Sequence, residues 1–92
     1  MSEARREVTI VNKRGLHARA SAKFVTAVAE LDESTRVRVA RKGTEAAGGS
    51  ILGLMMLGAA KGDTVEIIVD GTDAETVLAQ LVELVEDGFG EE

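Results

Sequence analysis

The sequence predicts an open-faced α/β sandwich of order β-α-β-β-α-β-α, with a four-stranded antiparallel sheet and three helices on one face. Three observations lead there. Two long stretches repeat apolar residues at helical spacing, several short stretches are β-branched or alternate apolar with polar, and each needs cover on one side only. At 92 residues the chain can bury one core and little more, so a single domain over residues 1–92 is expected.

Residues 7–11 contain Val8, Ile10 and Val11 and read as the first strand. After a loop over 12–16, Ala20, Phe24, Val28 and Leu31 recur at helical spacing, with Val25 widening the stripe, which predicts a helix over 18–31. Asp32-Glu33-Ser34 breaks it. Arg36, Val37, Arg38 and Val39 alternate as in a half-buried strand over 36–40, and Lys42-Gly43 turns the chain into a short strand over 44–47. Ser50 then offers a hydroxyl to the free N–H groups of a short helix over 51–57, stopped at Gly58. That helix is apolar nearly all round, more than a small domain can bury. Val65, Ile67 and Val69 share one face of a strand over 64–69. Asp70-Gly71-Thr72-Asp73 supplies a turn and a cap for the last helix, 74–87, with Val77, Leu78, Leu81, Val82 and Val85 on its apolar stripe.

Composition narrows the chemistry. Hydrophobic residues make up 45% and charged residues 29%, the balance of a soluble globular chain. No apolar run approaches the roughly 20 residues that span a bilayer, and the start lacks a signal peptide's apolar core. With no cysteine, a reducing, cytoplasmic setting is expected. One histidine and no cysteine leave too few ligands for zinc. The run Gly53 to Lys61 mimics a phosphate-binding P-loop but lacks the following Ser or Thr, and the run Asp70 to Glu75 lacks the order of calcium ligands in an EF-hand. A His17–Ser21 pair at i, i+4 has no third member that would make a hydrolase.

Net charge is −5, unevenly spread. Lys13, Arg14, Arg19 and Lys23 stand around the lone histidine with no acid between Val8 and Ala29, whereas from Asp63 onward there are acids and no Lys or Arg. A basic face steers acidic partners or phosphate. Nucleic acid is not expected, because the chain has no Tyr or Trp and only two Phe for stacking. The acids from Glu86-Asp87 to Glu91-Glu92 read as a solvated end.

His17 gathers these points. It follows Gly15, which suits a sharp turn, and falls at or just before the first turn of a helix, where N–H groups lack partners and favour anions. Neutral imidazole is a nucleophile near neutral pH, and a phosphate on it would meet those donors and the Arg19 guanidinium.

Gly15-Leu16-His17-Ala18-Arg19, followed by a helix, resembles the phosphorylation signature of the histidine-containing phosphocarrier family, HPr. Ser50-Ile51-Leu52-Gly53-Leu54-Met55-Met56-Leu57-Gly58 resembles that family's second signature, and Ala59-Ala60-Lys61-Gly62 fits the link that follows. The resemblance runs from about Val8 to Phe89. It implies a carrier of the phosphoenolpyruvate-dependent phosphotransferase system, a component rather than a stand-alone catalyst, that would need neither metal nor bound cofactor because the donor histidine comes from the partner. Enzyme I would phosphorylate His17 on Nδ1, His17 would pass the group to an enzyme IIA, and Arg19 would stabilise its charge. Partner contacts would come from Leu52, Met55, Lys23 and Ala20 of a monomer; Phe24 lies on the core stripe. Part of the family is also phosphorylated by a dedicated kinase at the serine matching Ser50, though a helix cap is reason enough for a serine there.

Ala20 departs from the pattern, since proline commonly follows the arginine. Alanine leaves one more N–H and a freer helix start. The Leu54-Met55-Met56-Leu57 run and the ending Gly88-Phe89-Gly90-Glu91-Glu92 resemble the nitrogen-type branch more than the sugar-uptake branch. A mainly regulatory carrier, acting by binding in a state set at His17 or Ser50, is therefore the alternative. A bare structural module is a third reading, disfavoured by two signatures at matching positions.

Overall fold

The computed structural model describes residues 2–91. Along the chain run β1 (Ser2–Thr9), α1 (Ala18–Ala29), β2 (Arg36–Arg41), β3 (Thr44–Ala47), α2 (Ile51–Met56), β4 (Thr64–Gly71) and α3 (Ala74–Glu86). The element order is the expected one. All pairings are antiparallel, in the sheet order β1-β4-β2-β3.

Alternation decides which face is covered. Val65, Ile67 and Val69 of β4 join Val37 and Val39 of β2 in a core closed by Phe24, Leu54 and the α3 stripe of Val77, Leu78, Leu81, Val82 and Val85. Ile68 points to the other face yet is also buried. Its register partners on either side are Arg5 and Arg38, whose guanidinium groups pair with Glu3, Glu66, Glu45 and Asp70. The long stems of those arginines cover the apolar residue where no helix does.

The β2–β3 hairpin turns at Lys42 (φ 50°) and Gly43 (φ 83°), both left-handed, as a tight turn matching the twist of its strands requires. Asp32 closes the end of α1 by accepting from the Ser34 N–H at 2.8 Å and its hydroxyl at 2.7 Å.

Three local expectations need correction. The first strand lies at Ser2–Thr9 rather than 7–11, because the eight residues of β4 pair with Ser2 to Thr9 one for one. Its charged outer residues hid it from a hydrophobicity reading. Val11, read as strand, is 45% exposed beyond the sheet. Helix α1 stops at Ala29, with Leu31 in a following turn that donates to Val28. Asp73 occupies the N-cap position of α3, but its side chain makes no capping bond.

Candidate functional site

Two loops meet at one end of the sheet. The chain leaving β1 is held by Ile10 N–H donating to the Asp63 carbonyl at 2.8 Å and by Gly62 N–H donating to the Ile10 carbonyl at 2.8 Å. Further on, Gly15 at φ 64° lets Leu16 N–H donate to the Ala59 carbonyl at 3.0 Å. Arg41 ties the second loop to itself by donating to the Leu57 carbonyl at 3.1 Å and to Asp63 Oδ2 at 2.9 Å.

The Ala60 N–H, against a smaller opposing cost of burial and with help from Arg41 and Lys42, holds the Asp63 carboxyl below its ordinary value of 3.8. A carboxylate depressed in the folded state stabilises above its unfolded value and loses that contribution as pH falls through the folded one. Urea unfolding from pH 7 to about pH 2 should therefore show stability dropping below 3.8, and Asp63→Asn should lower the pH 7 plateau and flatten that slope. An unchanged slope in the variant would assign the drop to other acids.

His17 is the N-cap of α1, in extended conformation, and its Nδ1 accepts the Arg19 backbone N–H at 3.2 Å. A backbone N–H only donates, so Nδ1 carries the lone pair of the neutral ring and the proton sits on Nε2; the tautomer follows from the hydrogen-bond network. Nε2 donates to Glu91 Oε2 at 2.7 Å. Glu91 Oε1 accepts from Asn12 Nδ2 at 3.1 Å, and the same nitrogen donates to the Gly15 carbonyl at 2.9 Å. Two acceptors facing one amide nitrogen fix the Asn12 orientation and leave its buried Oδ1 without a partner.

Glu86 and Asp87 are exposed, as expected of a solvated end, but Glu91 folds back half-buried against His17; Glu92 lies outside the described residues. Gly88, Phe89 and Gly90 turn left-handed in succession (φ 66°, 58° and 75°), and the Phe89 ring is 1% exposed. A left-handed phenylalanine costs about 1–2 kcal/mol, which burial of its ring, worth about 1.5–3 kcal/mol, offsets. Lys23 Nζ donates to the Phe89 carbonyl at 2.7 Å and anchors the turn to α1. Burial alone would raise the Glu91 carboxyl, but the hydrogen bonds from Asn12 and His17, with the charge of Lys23, outweigh it and leave the group below its ordinary range.

The expected site residues therefore divide. His17, Arg19 and Lys23 share a shallow depression with Lys13, Arg14 and Glu91. Leu52 (67% exposed) and Met55 (40%) lie on the open surface of α2, which packs against α1, and Met56 is the most exposed of the three at 75%. Ala20 does not belong to that surface: it is fully buried under the first turn of α1, so it cannot touch a partner with its side chain. Ser50 caps α2 by accepting the Gly53 N–H at 2.9 Å. Asn12 and Glu91 escaped the sequence reading. The available signal was an acidic end opposite a basic helix start.

Residues 4–87 match the family described as the PTS HPr component phosphorylation site. The chain is 40% identical over 86 residues to a phosphocarrier protein HPr of Xylella fastidiosa, covering 94% of each chain. It is 37% identical over 91 residues to a phosphocarrier protein NPr of Shewanella violacea, covering 99% of this chain and 98% of that one. Among solved structures, HPr-C-His from Thermoanaerobacter tengcongensis superposes with a TM-score of 0.86 at 37% identity, covering 100% of this chain and 99% of the other. With a family match over most of its length, relatives of this similarity and the fold described above, the chain belongs to the HPr family of phosphotransferase-system phosphocarriers.

Proposed function

We propose that residues 1–92 act as one carrier domain that takes a phosphoryl group from phospho-enzyme I on Nδ1 of His17 and hands it to a histidine of an enzyme IIA. The observation that carries this reading is the Nδ1 lone pair held at the start of α1, beside the Arg19 N–H and within a basic depression. In the forward step, the lone pair forms a bond to phosphorus while the donor's P–N bond breaks and its electrons return to the donor ring. The Arg19 N–H then loses Nδ1 as acceptor and is free for a phosphoryl oxygen. Among the described residues the Ala18 and Ala20 N–H groups take no partner either, so the helix start offers further donors. The work asked of the protein is positioning and charge stabilisation. Incubation with enzyme I and phosphoenolpyruvate should add one phosphoryl group that is lost in acid and kept in alkali. A chain that stays unlabelled would overturn the proposal.

Leu52 and Met55 supply apolar contact beside a cationic rim, which suits an acidic partner with an apolar centre. Leu52→Asp should weaken docking by about 1–2 kcal/mol, roughly 10-fold in the KM of enzyme I for the carrier, with little change in thermal stability because the residue is exposed. An unaltered KM would remove α2 from the interface.

A second reading, a mainly regulatory carrier, draws on Ser50. Its hydroxyl begins the helix that presents Leu52 and Met55, so a kinase acting there would place about −2 charge on the docking face. Comparing what the modified and unmodified forms pull down tests it; retention of an enzyme IIA alone by both forms would remove its support.

A further inference from the structure

We propose that Glu91 is a positioning residue for phosphoryl transfer, fixing the His17 tautomer and holding the Nε2 proton while Nδ1 gains and loses the phosphoryl group. The proposal rests on the reading of His17 as acceptor and extends it to a side chain 74 positions away in sequence.

The contact is built rather than incidental. His17 and Glu91 side chains are each 18% exposed, and both carboxylate oxygens are used, one by His17 Nε2 and one by Asn12 Nδ2. The turn that delivers Glu91 is held by the buried Phe89 ring, by Lys23 on the Phe89 carbonyl, and by Glu91 N–H donating to the Gly88 carbonyl at 3.0 Å. The depressed Glu91 carboxyl agrees with an acceptor that is ionised in use.

Neutral imidazole carries one proton. If it sits on Nδ1, that nitrogen has no lone pair to attack phosphorus. A carboxylate at Nε2 can only accept, so it selects the tautomer with the nucleophile at Nδ1. When Nδ1 bonds to phosphorus no proton moves, and the ring, still protonated on Nε2, becomes cationic beside the Glu91 charge. When the group moves on, the P–N electrons return to Nδ1 and the ring leaves as neutral imidazole. Had the Nε2 proton been lost, the leaving group would be an imidazolate anion and transfer would slow.

The other charged groups lining the depression are cations: Lys13 and Arg14 from the loop, Arg19 and Lys23 from α1. They balance the phosphoryl charge but cannot accept the Nε2 proton. Glu91 is the one carboxylate in that lining.

The test compares wild type with Glu91→Gln and Glu91→Asp in the full chain, using thermal melts as a check on folding. Nitrogen-15 shifts of His17 in the unphosphorylated protein should show the Nε2–H tautomer in wild type, a mixture in Glu91→Gln, and partial recovery in Glu91→Asp. Single-turnover transfer from phospho-enzyme I should slow about 10-fold in Glu91→Gln, the lower end of what carboxylates behind metal-bound histidines contribute, with binding unchanged. Labelled variants that keep both the wild-type tautomer and the wild-type rate would overturn the role of Glu91 alone. A wild type that takes no label would overturn the carrier reading, whatever tautomer the nitrogen shifts reveal.

Discussion

His17→Ala is expected to take no phosphoryl label from enzyme I and phosphoenolpyruvate, because the nucleophilic nitrogen is gone. The same change removes the α1 cap and the partner of Glu91, so a stability loss of about 1 kcal/mol should accompany it. That loss must not be mistaken for the cause. His17→Asn separates the two, since asparagine caps helices well but has no nucleophilic ring nitrogen. The expected result is a variant that melts near wild type and still takes no label. Wild-type labelling of either variant would place the phosphoryl group elsewhere. Urea unfolding and acid-quenched labelling, run side by side, supply both readouts.

Gly15→Ala should be the most damaging single-methyl change in the chain. At φ 64° an L-residue costs about 1 kcal/mol relative to glycine. Here the added Cβ would also stand 2.8 Å from Ala60 Cα and closer still to the Ala59 carbonyl oxygen, both backbone atoms that cannot rotate away. The loop before His17 would have to lift, loosening the Leu16 to Ala59 hydrogen bond and carrying the site with it. A total of about 2–4 kcal/mol is expected, which in a domain of this size lowers Tm by about 10–25 °C. Gly43→Ala is the control: φ is again positive (83°), but nothing lies within 4 Å of the added atom, so only the conformational part, about 1 kcal/mol, should remain. Equal losses in the two variants would show that the close approach at Ala59 is not what makes Gly15 necessary.

Much of this architecture can be read from local periodicity. The α3 stripe and the alternation of Val65, Ile67 and Val69 lie where spacing puts them, because each element buries one face and must repeat at its own period. The first strand was misplaced for a related reason: as an edge strand it keeps Arg5, Arg6 and Glu7 in solvent, and its position comes from pairing with β4, a contact no local window contains. Ala20 is buried despite its place beside His17, because proximity in sequence says nothing about which side of the first helical turn a side chain takes. Glu91 was the larger omission. Its contact with His17 depends on a left-handed turn through Phe89, and phenylalanine gives no warning of that conformation.

The sheet order has a consequence for how the molecule comes into being. Among the described residues β1 has β4 as its only sheet neighbour, so the first strand has no hydrogen-bonded partner until residues 64–71 are in place. The contact between Glu91 and His17 spans the chain even more widely. Pairings of such long separation close late and slow the search. During synthesis the first strand and His17 are made early but must wait for β4 and for Glu91. Newly made chain therefore passes through a period in which α1 and the β2–β3 hairpin can form locally while the site stays incomplete. Competence is acquired together with the completed fold.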